Sequence, residues 1–223
     1  MFEMQEQVIS ILLSLPVILI ALTFHEVAHG YAAYKLGDPT ARSLGRLSLN
    51  PLKHLDPIGC LCMFVFKFGW AKPVPVNSRY FKKPRRDMAI TALAGPVTNL
   101  LLALFGVLCF CISETVIISF AMPTTQFAFN MASLILTFFT MFFTLNISLA
   151  VFNLLPIPPL DGSRILLVFL PPKLYFGFMK YERYISIIIL ICLWTGILST
   201  PLRIAVNGIT DAMFFIVRLL PLL

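Results

Sequence analysis

Charge is scarce in this 223-residue sequence: only 12% of it is Asp, Glu, Lys or Arg, about half the usual soluble share, while 59% is apolar. A soluble domain of this size needs charged groups to cover its surface, so water-soluble globular folding is excluded. A mean hydropathy of +0.90 and 21 phenylalanines call for lipid as the solvent. Acidic residues are rarer still, ten against seventeen Lys and Arg, for a net charge of +7. That excess does not point to nucleic acid, because seven of the seventeen basic residues fall between Lys67 and Arg86, with no acidic residue before Asp87. Basic loops beside apolar spans are what cytoplasmic anchoring predicts. The five cysteines form no secreted-domain framework: Cys60 with Cys62 and Cys109 with Cys111 are each one residue apart, Cys192 stands alone, and they read as small apolar packers. No Lys or Arg precedes the first apolar segment, which is flanked by Glu3 and Glu6 and contains His25, Glu26 and His29. It is therefore not a secretory leader and is expected to stay in the mature protein.

The hydropathy pattern predicts an all-α polytopic membrane protein. A first helix runs from about Val8 to Leu36 and stops at Gly37-Asp38-Pro39. At 1.5 Å per residue it is about 43 Å long, more than the ~30 Å hydrocarbon core. A polar connector, Thr40 to Pro57, leads to an apolar stretch, Ile58 to Trp70, that is too short to span. With Phe64, Phe66 and Phe68 on alternate positions it reads as a re-entrant or β-hairpin element buried against protein. Lys72-Pro73-Val74-Pro75-Val76-Asn77 excludes continuous helix, and the basic residues from Arg79 to Arg86 mark the cytoplasmic surface. Further spans are expected at Met88–Cys111, where Gly95-Pro96 favours a kink or a close contact, and at Met131–Phe152. A proline cluster, Pro156, Pro158 and Pro159, follows. Ile185–Thr200 and Ile204–Leu220, separated by Pro201 and Arg203, would close the chain as a helical pair. This gives five crossings and one re-entrant element, with the N-terminus outside and a single domain over 1–223. No stretch has room for a separate soluble domain.

Histidine is also scarce, yet two of the three fall in His25-Glu26-Val27-Ala28-His29. Residues four apart share a helical face, so both imidazoles can reach one ion, while Glu26 projects to the neighbouring side, where it can take a proton from water. Ionisable groups inside a membrane are expensive and usually line a site. A zinc hydrolase needs a third protein ligand and an open position. Glu182, Glu114, Asp211, His54, Asp56 and Asp87 lie in interfacial, distal or connector positions. Asp161 stands instead just beyond the proline cluster that follows a long span, before Gly162. It could merely cap the helix beginning near Ser163. The rigid approach favours its turning back towards the first helix, to complete a metal triad of His25, His29 and Asp161.

With those residues in view the chain resembles the site-2 protease family of intramembrane zinc metalloproteases, in its compact bacterial branch. The resemblance covers almost the whole chain. It rests on the HExxH motif at 25–29, Leu160-Asp161-Gly162, Gly95-Pro96-Val97-Thr98-Asn99 and Phe68-Gly69-Trp70-Ala71-Lys72-Pro73-Val74-Pro75-Val76-Asn77. It implies one catalytic zinc ion held by the two histidines and the aspartate, and Glu26 as catalytic base. It also implies a three-helix catalytic core within about 8–163, a C-terminal helical pair at about 185–220, and a site in the membrane near its cytoplasmic side. No PDZ domain has space in the sequence. The implied substrate is a transmembrane-helix protein or a leader remnant in a bacterial cytoplasmic membrane, with regulation left to a homo-oligomer or a membrane partner.

Three asparagines are expected to support the site. Asn99, four residues beyond Gly95, would contact the substrate backbone or stabilise charge near the carbonyl, with an interhelical hydrogen bond as the alternative. Asn146 and Asn153 would shape the same cavity. The strand-like stretch from Cys62 to Phe68 would guide an extended substrate by β-addition, or serve only as an apolar plug. His54, in a polar connector, is expected to face solvent or make hydrogen bonds and stays out of the metal set. An ion or solute transporter using the same buried polar residues is the alternative function.

Overall fold

The structure is a computed structural model that describes residues 2–59, 62, 71–120, 125–171, 181, 184, 185, 187, 188, 191, 192 and 195–220, with the side chains of 2–6 and 120 left aside. Six α-helices organise the described residues: α1 (Phe2–Lys35), α2 (Thr40–Ser43), α3 (Pro84–Phe120), α4 (Gln126–Asn153), α5 (Asp161–Phe169) and α6 (Ser199–Arg218). Four of them contain stretches long and apolar enough to cross a membrane, at Gln7–Lys35, Pro84–Ser119, Gln126–Asn153 and Ser199–Arg218. Among the described residues no β-strand forms, and the protein is an all-α polytopic membrane protein. The expected re-entrant or β-hairpin element lies largely outside the described residues, as do 186, 189, 190, 193 and 194 of the expected span at 185–200. One isolated antiparallel bridge joins Leu55 to Ala71, so the chain leaves and returns at one place across that interval.

Local chemistry sets the helix ends. α1 stops where the Gly37 N–H bonds to Tyr34 O at 3.1 Å and the Asp38 N–H to Ala33 O at 2.9 Å, the pairing that closes a helix with glycine just beyond its end. The Thr125 side chain accepts from Ala128 N–H at the start of α4. α3 is longer than its apolar pattern predicts: it continues past Cys111, the expected end of the span, through Glu114 to Phe120. The physical reason is that hydropathy locates the hydrocarbon boundary, whereas a helix of 37 residues, about 55 Å long, projects past it. Pro201, expected to separate two spans, instead sits in the first turn of α6, where a missing N–H costs nothing.

α3 is the central element, packed against α1, α4, α5 and α6. Its contact with α4 and α6 is a core of Ala103, Val107, Cys111, Phe143, Ile147, Met213 and Val217. Small residues allow the close approach, as where Gly106 lies beneath Phe142 and Phe143. Most of each span faces outward, and large side chains such as Leu12, Leu101, Phe105 and Phe127 are exposed, as lipid-facing surfaces require. The α1–α3 contact carries polar groups, His25 against Asn99 and His29 against Thr91, all of them buried.

Candidate metal centre

α1 supplies two imidazoles one turn apart, and they meet edge to face with ring centroids 4.5 Å apart. The third group arrives from beyond α4. Beyond α4 the chain turns through Pro156, Pro158 and Pro159, with the Pro158–Pro159 peptide cis, and α5 begins at Asp161. The residue flanking the start of α5 is Leu160, not Asp161, and no side chain caps that end. Gly162 makes this return possible, since a Cβ there would collide with the carbonyl oxygens of Leu154 and Leu155. The bare backbone lets α5 start against the last turn of α4 and aims the Asp161 carboxylate at α1.

His25 Nε2 and His29 Nε2 are 3.0 Å apart, and each is 3.2 Å from Asp161 Oδ2. The other nitrogen of each ring is already committed. His29 Nδ1 lies 2.8 Å from Thr91 O, a carbonyl that can only accept, so the proton is on Nδ1. His25 Nδ1 lies 2.6 Å from Asn99 Oδ1. The orientation of that amide follows from a chain of partners: Asn99 Nδ2 donates to Ala21 O at 3.3 Å and to Asn146 Oδ1 at 2.8 Å, and Asn146 Nδ2 donates to Phe142 O at 2.8 Å. The carbonyls of Ala21 and Phe142 cannot donate, so His25 too must carry its proton on Nδ1.

In their neutral forms both rings then turn lone pairs towards each other and towards a carboxylate oxygen. Without a cation between them that arrangement is repulsive, and a cation resolves it. Either protons or a metal ion can play that part. Burial pushes the Asp161 carboxyl up, but hydrogen bonds from the two rings in their protonated form outweigh it and hold it at about 2.

The donor set fits zinc. Tetrahedral coordination with bonds of about 2.0 Å places ligand atoms about 3.3 Å apart, close to the triangle seen here. His, His and Asp are hard-to-borderline ligands of the type zinc accepts, and each histidine has the hydrogen bond on its remote nitrogen that orients metal-binding imidazoles. Gly95 of α3 completes the cradle: a Cβ there would stand 2.5 Å from His29 Nε2 and 2.6 Å from His25 Cε1. Among the described residues this is the group of three side chains that could hold a metal ion together.

The triangle opens on a cavity of about 370 Å³ lined by Glu26, Pro73, Val74, Met88, Asn153, Pro159 and Arg164, among others. Glu26 and Asn153 thus reach the cavity, whereas Asn99 and Asn146 are fully buried and not among its lining. Their place is behind His25, as a relay from α3 to α4. Asn153 uses its amide nitrogen on Leu149 O at 3.0 Å, within its own helix. One oxygen of Glu26, Oε2, accepts from the Val74 N–H at 2.7 Å, a contact that no side-chain pattern announces. The other acidic groups weighed for the metal are occupied elsewhere: Asp56 caps the Ile58 and Gly59 N–H groups, Asp87 pairs with Arg86, and Glu114 and Asp211 border a separate pocket with Arg218. Glu182 lies outside the described residues. His54 does not face solvent. It is 1% exposed and donates from Nε2 to Ser48 O at 2.7 Å.

Comparisons with known proteins give the family. A Bacillus subtilis protein with the provisional name zinc metalloprotease YwhC is 40% identical over 200 residues, covering 88% of this chain and 86% of the relative. Proteins provisionally named zinc metalloprotease Rip2 are similar at 27% identity: that of Mycobacterium tuberculosis over 78% of this chain and 63% of its own length, and that of Mycolicibacterium smegmatis over 81% and 66%. No solved structure matches the chain. The family model for peptidase family M50 matches residues 13–193, a stretch that begins inside α1 and takes in every residue of the donor triangle, so the chain belongs to the site-2 protease family of zinc metalloproteases.

Proposed function

We propose that this zinc-dependent protease is an intramembrane endopeptidase that hydrolyses a peptide bond within or near a transmembrane segment of a membrane-protein substrate. The observation that carries the reading is where the donor triangle sits: two of its corners are buried on a 29-residue membrane-spanning stretch, and the third is brought to them by the turn after α4. His25, His29 and Asp161 would hold one zinc ion. When bound, zinc lowers the pKa of a water molecule towards neutrality and polarises a carbonyl.

The remaining steps belong to this chain's own residues. Glu26 would take the proton from the attacking water and pass it to the departing amide nitrogen, from the cavity it lines beside the triangle. Asn99 and Thr91 O would fix the two rings so that Nε2 is available for the metal. Asn153 lines the cavity, and in this reading contacts the substrate. A continuous transmembrane helix hides its carbonyls in internal hydrogen bonds, so the scissile stretch must open before it can enter.

The whole of 1–223 acts here as one membrane-embedded catalytic domain, with its core at about 8–163 and a supporting C-terminal helical pair at about 185–220. The basic residues between Arg79 and Arg86 support an orientation with the N-terminus outside and the site towards the cytoplasm. The bacterial relatives support a place in the cytoplasmic membrane. Substrates in this reading are single-span membrane proteins or leader remnants, with a homo-oligomer or a regulatory membrane partner left open. No observation favours a transporter: the buried polar groups of α1, α3 and α4 converge on one donor set, and the family match is to a peptidase.

The test uses detergent-purified full-length protein and its Glu26→Gln form, each loaded with zinc, on a leader-peptide transmembrane segment fused to a fluorescent protein. Cleavage by the parent and none by the variant, at equal zinc content, is expected. Equal product from both would overturn the reading.

A further inference from the structure

The segment 72–77 forms a strap along one wall of the metal cavity, which Pro73, Val74 and Val76 line, and its sequence isolates a single main-chain donor. Pro73 and Pro75 have no N–H, so between Lys72 and Val76 only Val74 can donate. That one group donates to Glu26 Oε2 at 2.7 Å, a short contact of the charge-assisted kind. The same residue rests on α1 one turn further along: a Cβ at Gly30 would stand 3.0 Å from Val74 Cγ1. The strap thus touches the helix at Glu26 and four residues beyond it.

The strap is itself pinned. Arg46, 9% exposed, donates from Nη2 to Lys72 O at 2.7 Å and to Pro73 O at 3.3 Å. Lys72 N–H donates to His54 O at 2.8 Å, and at the other end Asn77 N–H donates to Asp38 Oδ2 at 2.7 Å. Arg46 is an expensive way to hold a loop. A buried guanidinium carries a desolvation cost, here met by neutral carbonyls, and its Nε has no partner in the structure. Two ordinary neutral hydrogen bonds would hold a surface loop as well, which leaves the placement of the strap as the reason for the residue.

We propose that Arg46 is a positioning residue for catalysis: it fixes the strap at Lys72 and Pro73 so that the Val74 N–H holds one oxygen of Glu26 and leaves the other to work in the cavity. A free glutamate side chain has several rotamers, whereas a base must stand within about 3 Å of the proton it takes. Anchoring Oε2 removes that search. The inference rests on Glu26 being the base and concerns what keeps it in place.

The experiment compares full-length, zinc-loaded parent, Val74→Ala, Val74→Pro, Arg46→Ala, Arg46→Lys and Glu26→Gln proteins in detergent, on the leader-segment fusion described above. Val74→Ala keeps the N–H, and Val74→Pro removes it in a stretch already built of prolines. Loss of a hydrogen bond to a charged group is expected to lower kcat of Val74→Pro about ten- to hundredfold below Val74→Ala, with KM changed less than about threefold and zinc content equal. Arg46→Ala should fall in the same direction, with Arg46→Lys recovering part of the loss by keeping one donor. The Val74 pair stands alone if Arg46→Ala does not fold. Equal kcat in the two Val74 variants, or a higher kcat in Val74→Pro, which would make the strap an inhibitory latch, overturns the proposal. So does a loss confined to KM or one that tracks zinc content. An active Glu26→Gln enzyme is a separate result: it removes the assignment of the base, whatever the strap variants do.

Discussion

Gly95 of α3 underlies His29 so closely that a single added carbon would stand 2.5 Å from the nitrogen aimed at Asp161. The backbone of one spanning helix is therefore the floor on which the donors of another are laid. Gly95→Ala is expected to displace both rings and lower zinc affinity, because the first carbon of any side chain occupies their place. Overpacking of this kind costs about 1–3 kcal/mol where neighbours can give a little. Zinc retained after dialysis, measured beside thermal denaturation in detergent, should fall far more than folded-state stability. Parent-like zinc retention would refute the cradle.

Asn99 is expected to act on the metal through His25. Asn99→Leu leaves Nδ1 of that ring without its acceptor, and loss of such an orienting bond typically weakens metal affinity about ten- to hundredfold. Asn146→Leu, one bond further out, should show the same effect in smaller measure. Competition with a zinc chelator of known affinity would measure both, and an Asn146 effect larger than that of Asn99 contradicts the relay.

The base and the ligands should separate in experiment. Glu26→Gln is expected to keep zinc at parent level while turnover falls about a hundred- to ten-thousandfold, the range for losing a general base. Asp161→Asn removes the negative corner of the triangle and should lower zinc content and activity together. Atomic absorption on dialysed protein, run beside the cleavage assay, distinguishes the two patterns.

Gly162→Ala probes the return of the chain. A Cβ there meets the carbonyl oxygens of Leu154 and Leu155, which are main chain and cannot swing away, so α5 must shift and carry Asp161 with it. Lower zinc retention and a lower midpoint of thermal denaturation are expected together. A variant with both properties at parent level would mean that α5 has more freedom than its packing implies.

Much of the fold and the outline of the site could be read in the sequence. His25 and His29 are paired by helical spacing alone, and Asp161 stands out by its setting, past a span and a proline cluster. Gly95 and Asn99 stand one turn apart for the same reason that the histidines do. Which way Asn99 faces was not legible. Its helix fixes the side it occupies, but whether it meets the substrate or the back of His25 depends on the packing of α1 and on Asn146, 47 residues further along. The contact from Val74 to Glu26 left no trace in residue type, because the donor is main chain and the partners are 48 residues apart. Glu114 marked the end of an apolar run but not the end of α3, since a helix continues past the hydrocarbon whenever its own hydrogen bonds and neighbours sustain it.

The amide chain behind His25 ends on Phe142 O, an oxygen of the main chain that has no proton to give. That terminus makes the line one-way. In the neutral ring this leaves Nε2 as the lone pair that an arriving ion meets, while the remote nitrogen keeps its proton throughout. Substitutions of side chains along the line can break it, but the atom that ends it and sets its polarity is main chain, shared by every amino acid.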